Sequence, residues 1–119
     1  MKELNIKNML YSDYTIEQLR TELGKLKEEA QTAEQLGEVS KAQILERKMQ
    51  MVASYMIHPD DFKAGSIHEL NGDPGHTFQI NFVEGVMVWG HRINLLNEVY
   101  NKEEALPISL LGPEVKEKQ

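Results

Sequence analysis

Thr77-Phe78-Gln79-Ile80-Asn81-Phe82-Val83-Glu84-Gly85-Val86-Met87-Val88-Trp89-Gly90-His91-Arg92 decides the fold: apolar and polar side chains alternate up to one glycine, and a second apolar run follows it. A period of two is that of a half-buried strand. A glycine between two such runs supplies the positive φ that a tight hairpin turn needs. The stretch therefore predicts strands over 77–83 and 86–92. With Glu84 and Gly85 as a two-residue loop, Phe82 faces Met87, Ile80 faces Trp89 and Phe78 faces His91. That face is expected to be the core, closing the indole and the three phenylalanines over one another. The opposite face then carries Val83, Val86 and Val88 near the turn, with Gln79, Asn81 and Gly90 beyond. A β-bulge would shift this pairing by one residue and turn Trp89 outward.

The same period appears in 66–70 and 105–111. Between them, Asn71-Gly72-Asp73-Pro74-Gly75 is dense turn chemistry. A phosphate cradle there would want a lysine and a following helix, and a strand follows instead. Pro107 has no amide proton, so 105–111 is expected to be an edge strand, or a short turn leading to a closing strand. The apolar stretch 93–101 reads as a covering loop or short helix. Gly112-Pro113 breaks the pattern, and 112–119 reads as a mobile charged tail.

The first half has a different period. Thr15-Ile16-Glu17-Gln18 matches a capping box, and Tyr14 can staple onto Leu19. Ile16, Leu19, Leu23, Leu26, Ala30 and Ala33 then follow helical spacing. Gly37 ends the helix. Ser40-Lys41-Ala42-Gln43 repeats the cap, and Ala42, Leu45, Met49, Val52 and Met56 repeat the seam up to His58-Pro59. So short a connection makes the helices antiparallel. Ile44, Met51 and Tyr55 form a further apolar line that must pack elsewhere. The expected layout is α+β: an N-terminal extension (1–13), a helical hairpin (14–57) and a small β-barrel (58–111) packed on it as one unit.

Composition bounds the function. The 119 residues have a net charge of −6 and no cysteine, which removes disulfides, thiol catalysis and cysteine-ligated metals. No stretch approaches the ~20 apolar residues of a membrane span, and the chain reads as cytoplasmic. Residues 1–57 have a net charge of −1 and residues 58–119 one of −5. An acidic second half repels phosphates, so nucleic-acid binding is left to Lys25, Lys27, Lys41, Arg47 and Lys48 of the hairpin and is disfavoured by net charge. His58, His68, His76 and His91 are the available general bases, and none sits in a catalytic or metal-binding motif. No catalytic residue, metal ligand or cofactor is assigned. Arg92 is expected to pair with Glu103 or Glu104, or to meet a partner.

Val88-Trp89-Gly90-His91-Arg92 and Glu103-Glu104-Ala105-Leu106-Pro107-Ile108-Ser109 resemble the signature stretches of the YfhH family of small bacterial proteins. Leu45-Glu46-Arg47-Lys48 and 81–85 are similar as well, and the resemblance spans about 14–111. This chain has Glu84 where asparagine is usual before the turn glycine, and His91 where an aromatic follows Gly90. The resemblance implies a helical hairpin followed by a barrel of the Src-homology-3 kind. It implies no activity, although some relatives are labelled transcriptional regulators.

The leading functional expectation is a non-enzymatic adaptor that meets another protein, or a second copy of itself, through Ile44, Met51, Tyr55, His91, Arg92, Leu95, Leu96 and Tyr100. The alternative is a nucleic-acid-associated regulator using the basic residues of the hairpin.

Overall fold

A computed structural model describes residues 10–116 of the chain. The chain divides into two compact units, Met1–Met56 and Ile57–Gln119. In the first, a single 3-10 turn (Tyr11–Asp13) leads into α1 (Ile16–Gln35) and α2 (Val39–Ser54).

Helix α1 begins on the expected box. The Gln18 amide donates to Thr15 Oγ1 (3.1 Å), and the Thr15 amide donates to Gln18 Oε1 (2.9 Å), which satisfies two otherwise orphan donors. Its end is a Schellman motif, with the Glu38 amide on Ala33 O (2.8 Å) and the Gly37 amide on Glu34 O (3.1 Å). Gly37 takes φ 76° to make that turn. The second cap is not where its pattern placed it. Helix α2 starts at Val39 with Glu38 as N-cap and no side-chain cap bond. The Schellman turn already delivers Glu38 at the first helical step, so the chain is helical before Ser40 could cap it.

Leu19, Leu26, Ala30, Ala33, Leu45 and Val52 form the buried cluster of the hairpin, with Tyr14, Leu23, Ala42, Met49 and Met56 packed against it. Both seams are as the spacing predicts, except that Ile16 lies exposed at the open end. Each fully buried leucine or valine contributes about 1.5–3 kcal/mol of apolar transfer, so this seam holds the pair together.

The second unit is one antiparallel sheet: β1 (Ile67–Leu70), β2 (His76–Glu84), β3 (Met87–Asn94), β4 (Glu104–Pro107) and β5 (Leu111–Glu114). The strand order is β4-β3-β2-β1-β5. Because β4 and β5 are the two edges and do not pair, the sheet is open, and the expected closed barrel is not formed. Pro107 in β4 has no amide to offer along the outer edge that closure would have to use, because the next amide, Ile108, is turned inward to Val86 O. A single 3-10 turn, Ile108–Leu110, separates those edge strands. Residues 112–114, read as the start of a tail, instead continue from Leu111 as a strand: β5 pairs with β1 through Leu70↔Leu111 and His68↔Glu114.

The β2–β3 register differs from the sequence reading, for two reasons. The turn is Gly85-Val86 rather than Glu84-Gly85, so Glu84 pairs with Met87 and Phe82 with Trp89. Gly85, at φ 60°, occupies the first central position, as a type II′ turn requires. The ladder then slips between Ile80 and Phe82 and resumes as Ile80↔Gly90, Gln79↔His91 and Phe78↔Arg92. Asn81 is thus the extra residue of a bulge on β2.

The bulge separates Phe82 from Phe78 and Ile80, which would otherwise share its face. Phe78, Ile80, Val88 and Gly90 are buried, whereas Phe82 is 45% exposed and Trp89 half-buried. Met87 and His91 are likewise only half-buried, so none of Met87, Trp89 and His91 belongs to the core as expected. Phe62 is half-buried against His68, with ring centroids 5.2 Å apart, so Phe78 is the one phenylalanine in the core. Gly90 fixes the register: a Cβ there would collide with Gln79 O and lie 2.9 Å from the Phe78 ring.

Candidate interaction site

Histidine His68 is a core residue of the sheet. Its Nδ1 donates to Gly112 O (3.0 Å), joining β1 to β5, and Nε2 meets Ser66 Oγ (3.2 Å). Its ring has partners on both sides and offers no chemistry to a ligand.

The other sheet histidines converge on the connection between β3 and β4. Asn94 organises the start of this loop: Oδ1 accepts the amides of Leu96 (2.9 Å) and Glu98 (3.0 Å), while Nδ2 donates to Glu98 Oε1 (2.8 Å). The backbone closes the same turn through Asn97 N to Asn94 O and Asn94 N to Glu98 O, both 3.0 Å. Asn97 adopts φ 65°, a left-handed conformation that asparagine tolerates. Ile93 and Val99 form a bridge below it. The segment 93–101 is therefore a strand end with a rigid turn, and it contains no helix.

The stem is held equally firmly. The Tyr100 amide donates to Arg92 O (2.9 Å), and His91 Nδ1 donates to Tyr100 O (2.8 Å). The Tyr100 hydroxyl meets His76 Nε2 (3.0 Å), whose Nδ1 donates to Asp73 Oδ2 (3.0 Å). A carboxylate can only accept, so the neutral ring carries its proton on Nδ1 and Nε2 accepts from the phenol. Arg92 completes the chain, Nη1 on Asp73 Oδ2 and Nε on Glu104 Oε2, each at 2.7 Å. The hydrogen bond from His76, with the charges of His76 and Arg92 and the Gly75 amide, holds the Asp73 carboxyl below the usual aspartate range against the opposing effect of desolvation. Chemically the chain is a relay of paired groups that clamps the loop; Asp73 and His76 were not legible as its members from sequence.

What the clamp presents is apolar. Leu95 is 79% exposed and Leu96 78%, at the tip of a turn that cannot fold them inward, with Val99 and Tyr100 also exposed beside them. Of the other residues singled out as partner contacts, Ile44 is exposed and Met51 half-buried on α2. Tyr55 packs against the helical cluster, its ring 6.1 Å from that of Tyr11, and so belongs partly to the hairpin's own core. The structure thus gathers His91 and Arg92 at the end of β3 with Leu95, Leu96 and Tyr100 of the loop that follows, and leaves Ile44, Met51 and Tyr55 to the helical unit.

The basic residues spread over several directions on each helix, with Lys41 and Lys48 on one line. Lys25, Lys27, Lys41, Arg47 and Lys48 are all exposed, and Lys41 lies 4.0 Å from Glu38. At about 100° per helical residue, Lys25 and Lys27 diverge by more than half a right angle beyond perpendicular, and Arg47 stands off the line joining Lys41 and Lys48. Among the described residues no group of three or more histidines and carboxylates is placed to hold a metal ion. No helix there is long and apolar enough to cross a membrane.

A helical pair followed by an open five-stranded antiparallel sheet, with tryptophan-glycine at its register point, defines a small α+β class. The chain belongs to the family described as a protein of unknown function (DUF1811), whose match covers residues 9–112. It is 37% identical over 101 residues to the uncharacterized protein YfhH of Bacillus subtilis (strain 168), across 85% of this chain and 92% of that protein.

Proposed function

We propose that this chain is a non-enzymatic, cytoplasmic protein-binding module, and that the Leu95–Leu96 tip is its point of contact. The observation that carries this reading is the pairing of high exposure with rigidity: two leucines open to solvent on a turn fixed by the Asn94 side chain and by Asn97. A pre-organised apolar tip loses little conformational entropy when a partner covers it. The Tyr100–His76–Asp73–Arg92–Glu104 chain supports the reading, because every bond in it anchors the stem of that loop. The scattering of the basic residues over different helical directions, with the net charge of −6, weighs against the nucleic-acid alternative.

In-cell crosslinking from a photoreactive residue at position 96, followed by mass spectrometry, tests the proposal. A discrete adduct that disappears in L95S, with the fold intact, is expected. Adducts no different from those of a photoreactive residue placed at Lys27 contradict it.

A further inference from the structure

The bulge at Asn81 leaves a second feature for which the loop has no use. Phe82 and Trp89 stack across β2 and β3, with ring centroids 5.8 Å apart and planes within 8° of parallel. They lie on the face away from Phe78 and Ile80, and Phe82 is nearly half exposed. On the next strand the residue opposite Trp89 is Ala105, so β4 offers only a methyl group beside the indole. The indole N–H donates to no other described residue, and among the described residues no buried polar side-chain atom lacks a partner. It is therefore a donor without a partner that is not sealed in the interior.

The groups around this pair are acidic. Glu84 is exposed and stands next to the stack in the register, across from Met87. Glu103 is exposed and held by Asn81, whose Nδ2 donates to Oε2 (2.7 Å). Neither carboxylate forms an ion pair with a described residue. The only ionic partners of Glu104 and Asp73 lie within the clamp, and residues 58–119 as a whole have a net charge of −5. An aromatic face with an unused N–H donor and two unpaired carboxylates is complementary to a planar cation carried on a peptide.

We propose that the Phe82–Trp89 face, with Glu84 and Glu103, is a binding site for an arginine-bearing segment of a partner protein. The guanidinium lies against the half-exposed Phe82 side of the aromatic pair, its N–H groups meet a carboxylate, and the indole N–H donates to a peptide carbonyl. Arginine fits better than lysine because its flat, weakly hydrated head stacks and pairs at once. Pro107 disfavours strand addition along β4, the edge beside the stack, which directs binding to the face. The inference rests on the protein-binding reading and names the chemistry of a partner, at a surface distinct from the leucine tip.

Trp89 is the sole tryptophan, so its emission reports this site directly. The full chain is titrated with an Arg-Pro-Arg-Pro-Arg peptide, with the same peptide carrying lysine or glutamate, and with single-stranded oligothymidylate. Saturable change in Trp89 emission is expected with the arginine peptide, several-fold weaker with lysine and absent with glutamate and oligothymidylate. By anisotropy of the labelled arginine peptide, F82A weakens binding by roughly tenfold. E84Q and E103Q, which keep exposed side chains of the same shape, each weaken it by about threefold. L95S leaves it unchanged. No saturation, equal binding of the glutamate peptide, tighter binding of oligothymidylate, or affinity unaffected by both F82A and E84Q overturns the site. Peptide binding that persists after the tip shows no partner in cells rejects the tip alone; loss of the peptide response with tip adducts intact rejects this site alone.

Discussion

The helical pair and the β2–β3 hairpin respond differently to an error of one residue. In α1 and α2 a seam is a broad stripe, so a displaced cap or a shifted boundary leaves Leu19, Leu26, Leu45 and Val52 where their spacing puts them. The start of α2 at Val39 instead of beyond Ser40 changed nothing in the seam. In the hairpin the side-chain period is two, and one extra residue exchanges faces. Asn81 does this: Phe78 and Ile80 remain inside while Phe82 and Trp89 stand outside. A strand-based site is therefore created or lost by a single bulge, whereas a helical core is forgiving.

The strongest way to break this comparison is at its pivot. Gly90→Ala places a Cβ against Gln79 O and the Phe78 ring, and a loss on the order of 3 kcal/mol or more is expected in denaturant unfolding. An alanine tolerated at little cost would mean that the ladder does not run as described. Leu19→Ala and Ile80→Ala remove buried side chains from the two units, and each is expected to cost about 3 kcal/mol by the same measurement. Trp89→Ala sharpens the contrast, since a half-buried indole stacked on Phe82 should cost about 1–2 kcal/mol, below the ~3–5 kcal/mol of a core tryptophan. At the helix ends, Thr15→Ala should cost about 1 kcal/mol, with Ser40→Ala near neutral because only Thr15 caps.

The smallest effect concerns acid. The folded pKa of Asp73 lies below its unfolded value, so its contribution to stability is present above the ordinary aspartate range and is lost as pH falls through the depressed folded value. Asp73→Asn should flatten the stability–pH profile in that acidic window and leave it parallel to wild type above it. An unchanged acid limb would remove Asp73 from the clamp.

How much was legible follows from these physical differences. The capping box, both seams, the Gly37 stop and the edge position of Pro107 were readable because each depends on neighbours in sequence or on one residue's covalent chemistry; for Arg92 the sequence offered Glu103, Glu104 or a partner, and the fold selects Glu104. A bulge was named as the event that would turn Trp89 outward, but its place was not legible, because nothing local marks Asn81 as unpaired; Gly90, crowded by Gln79 across the ladder, was the available signal. The open sheet was foreshadowed by Pro107, but only the strand order shows that β4 and β5 are the two edges and do not pair. Asp73 read as a turn residue and His76 as a general base outside any motif, and their link to Tyr100 spans 24 residues from His76. Leu95 and Leu96 were legible as an apolar segment, while their rigidity came from Asn94 and Asn97, whose roles need the folded turn.

The central claim is that the bulge puts the indole on the open face of the sheet, and acrylamide quenching of Trp89 emission in the full native chain tests it most directly. Red-shifted emission that acrylamide quenches readily, with F82A increasing the quenching further, is the predicted result. Blue-shifted emission that resists acrylamide until the protein is unfolded would place the indole in the core and contradict the register, the aromatic site and the argument built on Asn81.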